Sequence, residues 1–188
     1  MADELKPTIS PDKIKGNVSS AVKELLSNPA AFFNWRSRKQ RAQPLFCSSI
    51  TERLVVTEAN IEKKREDENK KEAIVVIELD VTEDMANGGG NIHGGCIAFL
   101  VDVTTTLALV AYSLDVDNNF FAGVSQTINV TYHSPAAIGN RLRIVNYTVA
   151  GGSRAKTARC EIWNATHHRL VASGLHIKMQ PSGPTAKL

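Results

Sequence analysis

The tripeptide His93-Gly94-Gly95 stands directly before a long apolar run, Cys96 to Tyr112, and Asp102 lies inside that run. An amide at the start of a helix has no partner within the helix and sits at the positive end of its dipole. The Gly94 N–H is therefore suited to hold an oxygen that is becoming negative. A glycine there also lets a ligand approach the backbone, and Asn87, in the turn Asn87-Gly88-Gly89-Gly90-Asn91, offers a side-chain donor. Asp102 is costly in an apolar helix unless it has hydrogen-bond partners or a task, and burial is expected to make its carboxylate a stronger base. A donor for an oxyanion and a base for water are the two halves of a hydrolytic site at a carbonyl carbon. The competing reading is an Asp bonded to its neighbouring backbone or to Thr105 or Thr106.

These residues must be positioned by the elements around them. The run from Cys96 to Tyr112 is hydrophobic almost all round, which predicts a buried helix; Asp102 and three threonines argue against a membrane span. Before it, period-two patterns predict a strand through Leu54, Val56 and Ile61 and a second with Val75, Ile77, Leu79 and Val81 on one face. The charged run Glu62 to Glu72 between them is expected to be a solvated hairpin loop. Four further strands are expected over Ala122–Tyr132, Arg141–Ala150, Lys156–Trp163 and Leu170–Met179, separated by Gly, Pro and Asn turns. Strand, strand, long helix, four strands is an α+β order, and one helix can be enclosed only by an antiparallel sheet that curls around it, a hotdog architecture.

Residues 1–48 are expected to be a partly helical extension, 49–180 the hotdog domain and 181–188 a tail. Ser19 or Ser20 caps one short helix, and Asn28-Pro29 starts another whose Phe32, Phe33 and Trp35 need a surface to cover. The net charge of +3 is concentrated there: residues 1 to 41 hold eight Lys/Arg against four Asp/Glu, and the remainder fourteen against fifteen. The cluster Arg36, Arg38, Lys39, Arg41 reads as a solvated helix end, with phosphate attraction as the competing reading. Three widely spaced cysteines, Cys47, Cys96 and Cys160, fit neither a disulfide framework nor a zinc site, so a reducing, intracellular compartment is expected. The first residues lack the pattern of a secretory signal, and no nucleic-acid partner is expected.

The stretch Asn87-x5-His93-Gly94-Gly95-x6-Asp102, then Gly123-Val124-Ser125 and Asn129-Val130-Thr131-Tyr132-His133-Ser134-Pro135-Ala136, resembles the phenylacetyl-CoA-thioesterase-like branch of the hotdog acyl-CoA thioesterases. The resemblance spans roughly Ile50 to Met179 and implies hydrolysis of an acyl-CoA to free acid and coenzyme A. It needs no cofactor, since coenzyme A belongs to the substrate. It implies that Asn87 and the Gly94 amide polarise the carbonyl, that Asp102 and Ser125 position and activate water, and that His93 shapes the turn. It also implies a homodimer or dimer of dimers with sites between subunits. The sequence departs from the family in its basic extension and in a slightly long loop, Ser113 to Phe120, expected to reshape the acyl pocket. Val101, Thr105 and Leu109 are expected to line an acyl tunnel, and Arg154 and Lys156, flanking a Gly-Gly turn, to meet coenzyme A phosphates.

Two other readings compete. A hotdog hydratase or dehydratase wants a histidine acid/base in a proline-bracketed loop, which is absent; a non-catalytic acyl-CoA-binding or scaffold module would use the aromatic extension to hold a partner. Cys96, three residues after His93, suggests a nucleophile but fits better as a small packed residue, and His133, His167, His168 and His176 are read as turn or strand residues. The final Ala186-Lys187-Leu188 is similar to a Ser-Lys-Leu peroxisomal address, so peroxisomal or cytoplasmic residence is expected. A fluorescent protein carrying the last dozen residues should collect in peroxisomes; a purely diffuse signal rejects the address.

Overall fold

The computed structural model describes residues 8–36 and 44–181, at positions 35 and 36 for the backbone only. The basic cluster 36–41, the Trp35 side chain and the terminal tripeptide 186–188 therefore lie outside the described residues. Six strands form one antiparallel sheet: β1 (Val55–Lys64), β2 (Asp67–Asp80), β3 (Val124–Tyr132), β4 (Arg141–Gly151), β5 (Ala155–Asn164) and β6 (Arg169–Met179), in the order β1-β2-β4-β5-β6-β3. Three helices, α1 (Ser20–Leu26), α2 (Pro29–Arg36) and α3 (Ser48–Thr51), precede the sheet, and the long helix α4 (Gly94–Asp115) follows β2.

The sheet wraps α4, which packs against all six strands. The helix is long and apolar enough to cross a membrane, but most of it is buried inside the fold. Its β-branched threonines are tolerated because Thr104, Thr105 and Thr106 return their hydroxyls to the carbonyls of Leu100, Val101 and Asp102 at 2.6–2.7 Å. Alternation in β2 puts Val75, Ile77 and Leu79 into the core, as the period-two pattern predicts. Asn146 of β4 is buried as well, with its amide satisfied by the Thr104 hydroxyl and the Val75 carbonyl.

The charged run is mostly strand rather than loop. Pairing continues through Glu62↔Glu72 and Lys63↔Lys71, and only residues 65 and 66 separate β1 from β2. The polar side chains are solvated as expected, but solvating side chains does not prevent two backbones from pairing with each other.

The extension joins the same core. Ser19 caps α1 by accepting from Val22 N–H, and its own N–H and hydroxyl donate to the two carboxylate oxygens of Asp115 at the far end of α4. Asn28 opens α2 by accepting from Ala31 N–H. Ile14, Val18, Val22, Leu26 and Phe32 are buried with the sheet residues, so the aromatic-bearing helix covers a surface as expected.

The two sheet edges differ. Lys15 N–H donates to Thr57 and its carbonyl accepts from Ala59 N–H, while the Asn17 side chain exchanges two hydrogen bonds with the Ile61 backbone. The extension thus occupies the outer edge of β1. At the other edge β3 pairs only with β6 among the described residues, and most of its side chains are exposed. Covering β1 requires Gly16, whose φ is +107° and where a Cβ would stand 2.0 Å from the Ala59 carbonyl oxygen. Gly16→Ala should cost on the order of 2 kcal/mol and lower Tm by roughly 5 °C. An unchanged Tm in calorimetry would mean that this edge contact contributes nothing.

Candidate active site

The turn before α4 fixes the candidate donors. Asn87 Oδ1 accepts from Gly89 N–H (2.9 Å) and Asn91 N–H (3.3 Å), which anchors the side-chain amide and leaves Nδ2 without an acceptor among the described residues. His93 is the N-cap of α4, and its Nδ1 accepts from Gly95 N–H at 2.9 Å. A ring nitrogen that accepts cannot carry the proton, so His93 is held as a capping group. The neighbouring Gly94 N–H has no acceptor among the described residues, as an oxygen-binding amide requires.

Tyr132, at the end of β3, is a neighbour that sequence patterning passes over. Its hydroxyl donates to the Gly94 carbonyl at 3.0 Å, and its ring would meet a Cβ at Gly94 at 3.4 Å. The first turn of α4 is thereby tied to β3.

Asp102 lies two helical turns further on, with its side chain 40% exposed. The enclosure expected of a carboxylate in an apolar helix is absent in the single chain, because Asp102 is on the one face of α4 that the sheet does not cover. Nor do Thr105 and Thr106 hold its carboxylate; their hydroxyls reach its backbone carbonyl instead. The carboxylate meets Ser125 of β3, whose Oγ is 3.1 Å from Oδ1. His176 of β6 completes the group, with Nε2 at 3.0 Å from Ser125 Oγ and 3.6 Å from Asp102 Oδ1.

Sequence reading placed His176 among the ordinary strand residues, and the structure corrects this. It is 0% exposed, and its Nδ1 lies 2.6 Å from Thr105 Oγ. Burial, then the nearby Lys178 ammonium, lower its pKa from 6.5 to about 4, against an opposing pull from Asp102. The imidazole is therefore neutral near pH 7, and its tautomer directs the Ser125 hydroxyl. The tautomer is coupled to the Thr105 hydroxyl: with the Thr105 hydrogen on the Val101 carbonyl, Nδ1 donates to Thr105 and Nε2 draws the Ser125 hydrogen to itself; with that hydrogen turned to Nδ1 instead, Nε2 carries the proton and Ser125 is free to donate to Asp102. Two-residue alternation along β6 that puts a histidine on the core side was the only available signal.

A pocket of about 480 Å³ opens beside Asp102, with Gly95, Ala98, Phe99 and Val103 of α4 on one side. Val101, Thr105 and Leu109 are not on it. They face the core, Val101 against Gly174, because one residue rotates a helix position by about 100°. The loop from Val116 to Gly123 follows the far end of α4 and contributes no residue to this pocket.

Lys156 is also corrected. It is 5% exposed, paired with Asp117, with its ammonium 5.3 Å and 5.2 Å from the Tyr112 and Phe121 ring centres, so it is committed to the fold rather than to a phosphate. Arg154 stays exposed in the turn before β5. Burial pushes the Cys96 thiol up to about 12, which suits packing and not nucleophilic attack.

Residues 89–171 match the family described as the thioesterase superfamily. Acyl-coenzyme A thioesterase 13 of Mus musculus is 35% identical over 104 residues, which cover 55% of this chain and 71% of that protein; the Homo sapiens protein is 33% identical over the same shares. The chain belongs to the thioesterase superfamily. This thioesterase also shares its fold with solved relatives: zebrafish thioesterase superfamily member 2 (TM-score 0.62, 25% identity, 83% of this chain and 98% of that one) and its Mus musculus counterpart (TM-score 0.61, 26% identity, 87% and 99%). The hotdog architecture and thioester hydrolase activity expected from the resemblance are thereby established.

The pKa of His176 gives this thioesterase a pH signature. The folded chain keeps His176 neutral down to about pH 4, whereas an unfolded chain takes up the proton below about 6.5. The unfolded state binds more protons between those values, so stability falls as pH drops through that window, by up to on the order of 3 kcal/mol. His176→Gln should be less stable at neutral pH but flatter across the window in denaturant titrations. Parallel pH profiles for variant and wild type would remove His176 as the origin of the slope.

Proposed function

We propose that this thioesterase hydrolyses acyl-CoA, with Asp102 as the base for water and the Gly94 amide as the oxyanion donor. The contact of Asp102 with Ser125, at the mouth of a mainly apolar pocket, carries this reading. Asp102 takes a proton from water as the oxygen attacks the thioester carbon, and Ser125, oriented by His176, holds that water. The carbonyl oxygen becomes negative against Gly94 N–H and Asn87 Nδ2; collapse of the tetrahedral adduct breaks the C–S bond, and the thiolate of coenzyme A recovers the proton. Arg154 is the remaining candidate for a phosphate contact. Curated relatives named acyl-coenzyme A thioesterase support the substrate.

The site is proposed to be shared between subunits. Gly94 and Asp102 are eight residues apart on one helix, about 12 Å at 1.5 Å per residue, whereas both must act within about 3 Å of the reacting atoms. A second copy related by a two-fold axis brings the Gly94 of one chain to the Asp102 of the other, and yields two equivalent sites. The uncovered β3 edge supports this geometry, since it carries Ser125 and Tyr132 at the surface where a partner strand would pair.

In a free-thiol assay over a panel of acyl-CoAs, Asp102→Asn should fold and lose about 10²–10⁴-fold in kcat; a near-normal rate removes Asp102 from the mechanism. A purified mixed dimer of Asn87→Ala and Asp102→Asn chains carries both lesions in one site and none in the other. It should recover about half of wild-type activity by site counting. A dead mixed dimer would mean that each site lies within one chain.

A further inference from the structure

The pocket beside Asp102 has two walls of different origin. The inner wall is α4, with Ala98 and Phe99, and the outer wall is the extension, with Phe33 of α2 and Leu45 and Phe46 just before α3. The stretch that matches the superfamily begins at residue 89, so the outer wall lies wholly beyond it. Phe46 is 80% exposed, although its ring meets that of Phe99 edge-on at 5.6 Å between centres. An apolar ring at a pocket mouth, open to water in the free chain, is stabilised when an apolar ligand covers it.

We propose that the extension is the acyl-selecting wall of this thioesterase: Phe33 and Phe46 close over an uncharged aliphatic chain lying along Ala98 and Phe99. The inference rests on the acyl-CoA reading above. With the thioester carbon at Asp102, the apolar space open to the acyl group is this pocket, whose 480 Å³ falls within the range of small-ligand sites and far exceeds an acetyl group. Asp102 is the only charged residue among the described ones that line it, which disfavours a dicarboxylic acyl group by repulsion. Each methylene withdrawn from water should raise kcat/KM about three- to fourfold until the chain reaches the end of the pocket. The second copy that brings its Gly94 to Asp102 stands at the mouth of this pocket; the competing reading is that its side chains, rather than an acyl chain, fill the space, since Ile128 of the open β3 strand also lines it.

The test measures kcat/KM for saturated acyl-CoAs from acetyl to palmitoyl, and Kd for S-alkyl-CoA thioethers of matching length, in wild type, Phe46→Ala, Phe46→Leu and Ala98→Leu. Wild type should climb with chain length and then level. Phe46→Ala should flatten the climb, lowering the long-to-short ratio about tenfold, and Phe46→Leu should restore most of it. Ala98→Leu, which narrows the opposite wall, should move the plateau to shorter chains. Length profiles unchanged in both Phe46→Ala and Ala98→Leu overturn the proposal, and so does a dimer weakened by Phe46→Ala with its length profile intact. Thioether affinity that grows with length and responds to Phe46→Ala, without thiol release from any acyl-CoA, refutes the hydrolase reading and leaves the wall standing. Thiol release with affinity blind to chain length refutes the wall alone.

Discussion

The structure depends on burying a helix that is apolar on nearly every side. An amphipathic helix needs one covering surface, but α4 carries buried residues around most of its circumference, from Ile97 through Ala111. A flat sheet would cover a single stripe. Six twisted antiparallel strands curl far enough to cover all but one, and the stripe left bare holds Gly95, Ala98, Phe99 and Asp102. The face that carries the candidate site is thus the geometric remainder of the wrapping, and the Asp102 carboxylate sits where it can meet water without leaving the core helix.

The same wrapping explains the polar groups in the interior. Hydroxyls of Thr104, Thr105 and Thr106 are satisfied by helix carbonyls and then serve a second partner each: Asn146, His176 and Lys178. Each bond links the helix to a strand at a fixed rotation and height. Through Thr105 and His176, the position of Ser125 is tied to the register of α4 against β6, so the rigidity of the core is transmitted to the contact of Ser125 with Asp102.

The extension and the open edge divide the surface into a finished side and an unfinished one. Residues around Lys15 to Asn17 occupy the β1 edge with backbone and Asn hydrogen bonds, which removes one template for strand pairing. The β3 edge keeps its template together with Ser125 and Tyr132. An edge strand that holds candidate site residues and leaves most of its side chains exposed is suited to pairing with its own copy, because a two-fold axis presents the same strand in antiparallel orientation.

The sequence by itself determined the helix, the strands and the candidates Asn87, Gly94 and Asp102, because helix and strand periods and a Gly-rich turn are local properties of the chain; Ser125 entered only through the resemblance to the hotdog thioesterases. It also determined the two short helices of the extension, through Ser19 or Ser20 and the Asn28-Pro29 pair, and the structure chose Ser19 as the cap. Only the tertiary structure decided which face of α4 is bare, and so moved the pocket from Val101, Thr105 and Leu109 to Ala98, Phe99 and Val103. It alone brought His176, distant in sequence and on a strand that reads as ordinary, to Ser125 and Thr105. It also withdrew Lys156 into a pair with Asp117. A period fixes how residues alternate along an element, but the rotation of that element against its neighbours is set by packing across the whole sheet, which no short stretch of sequence encodes.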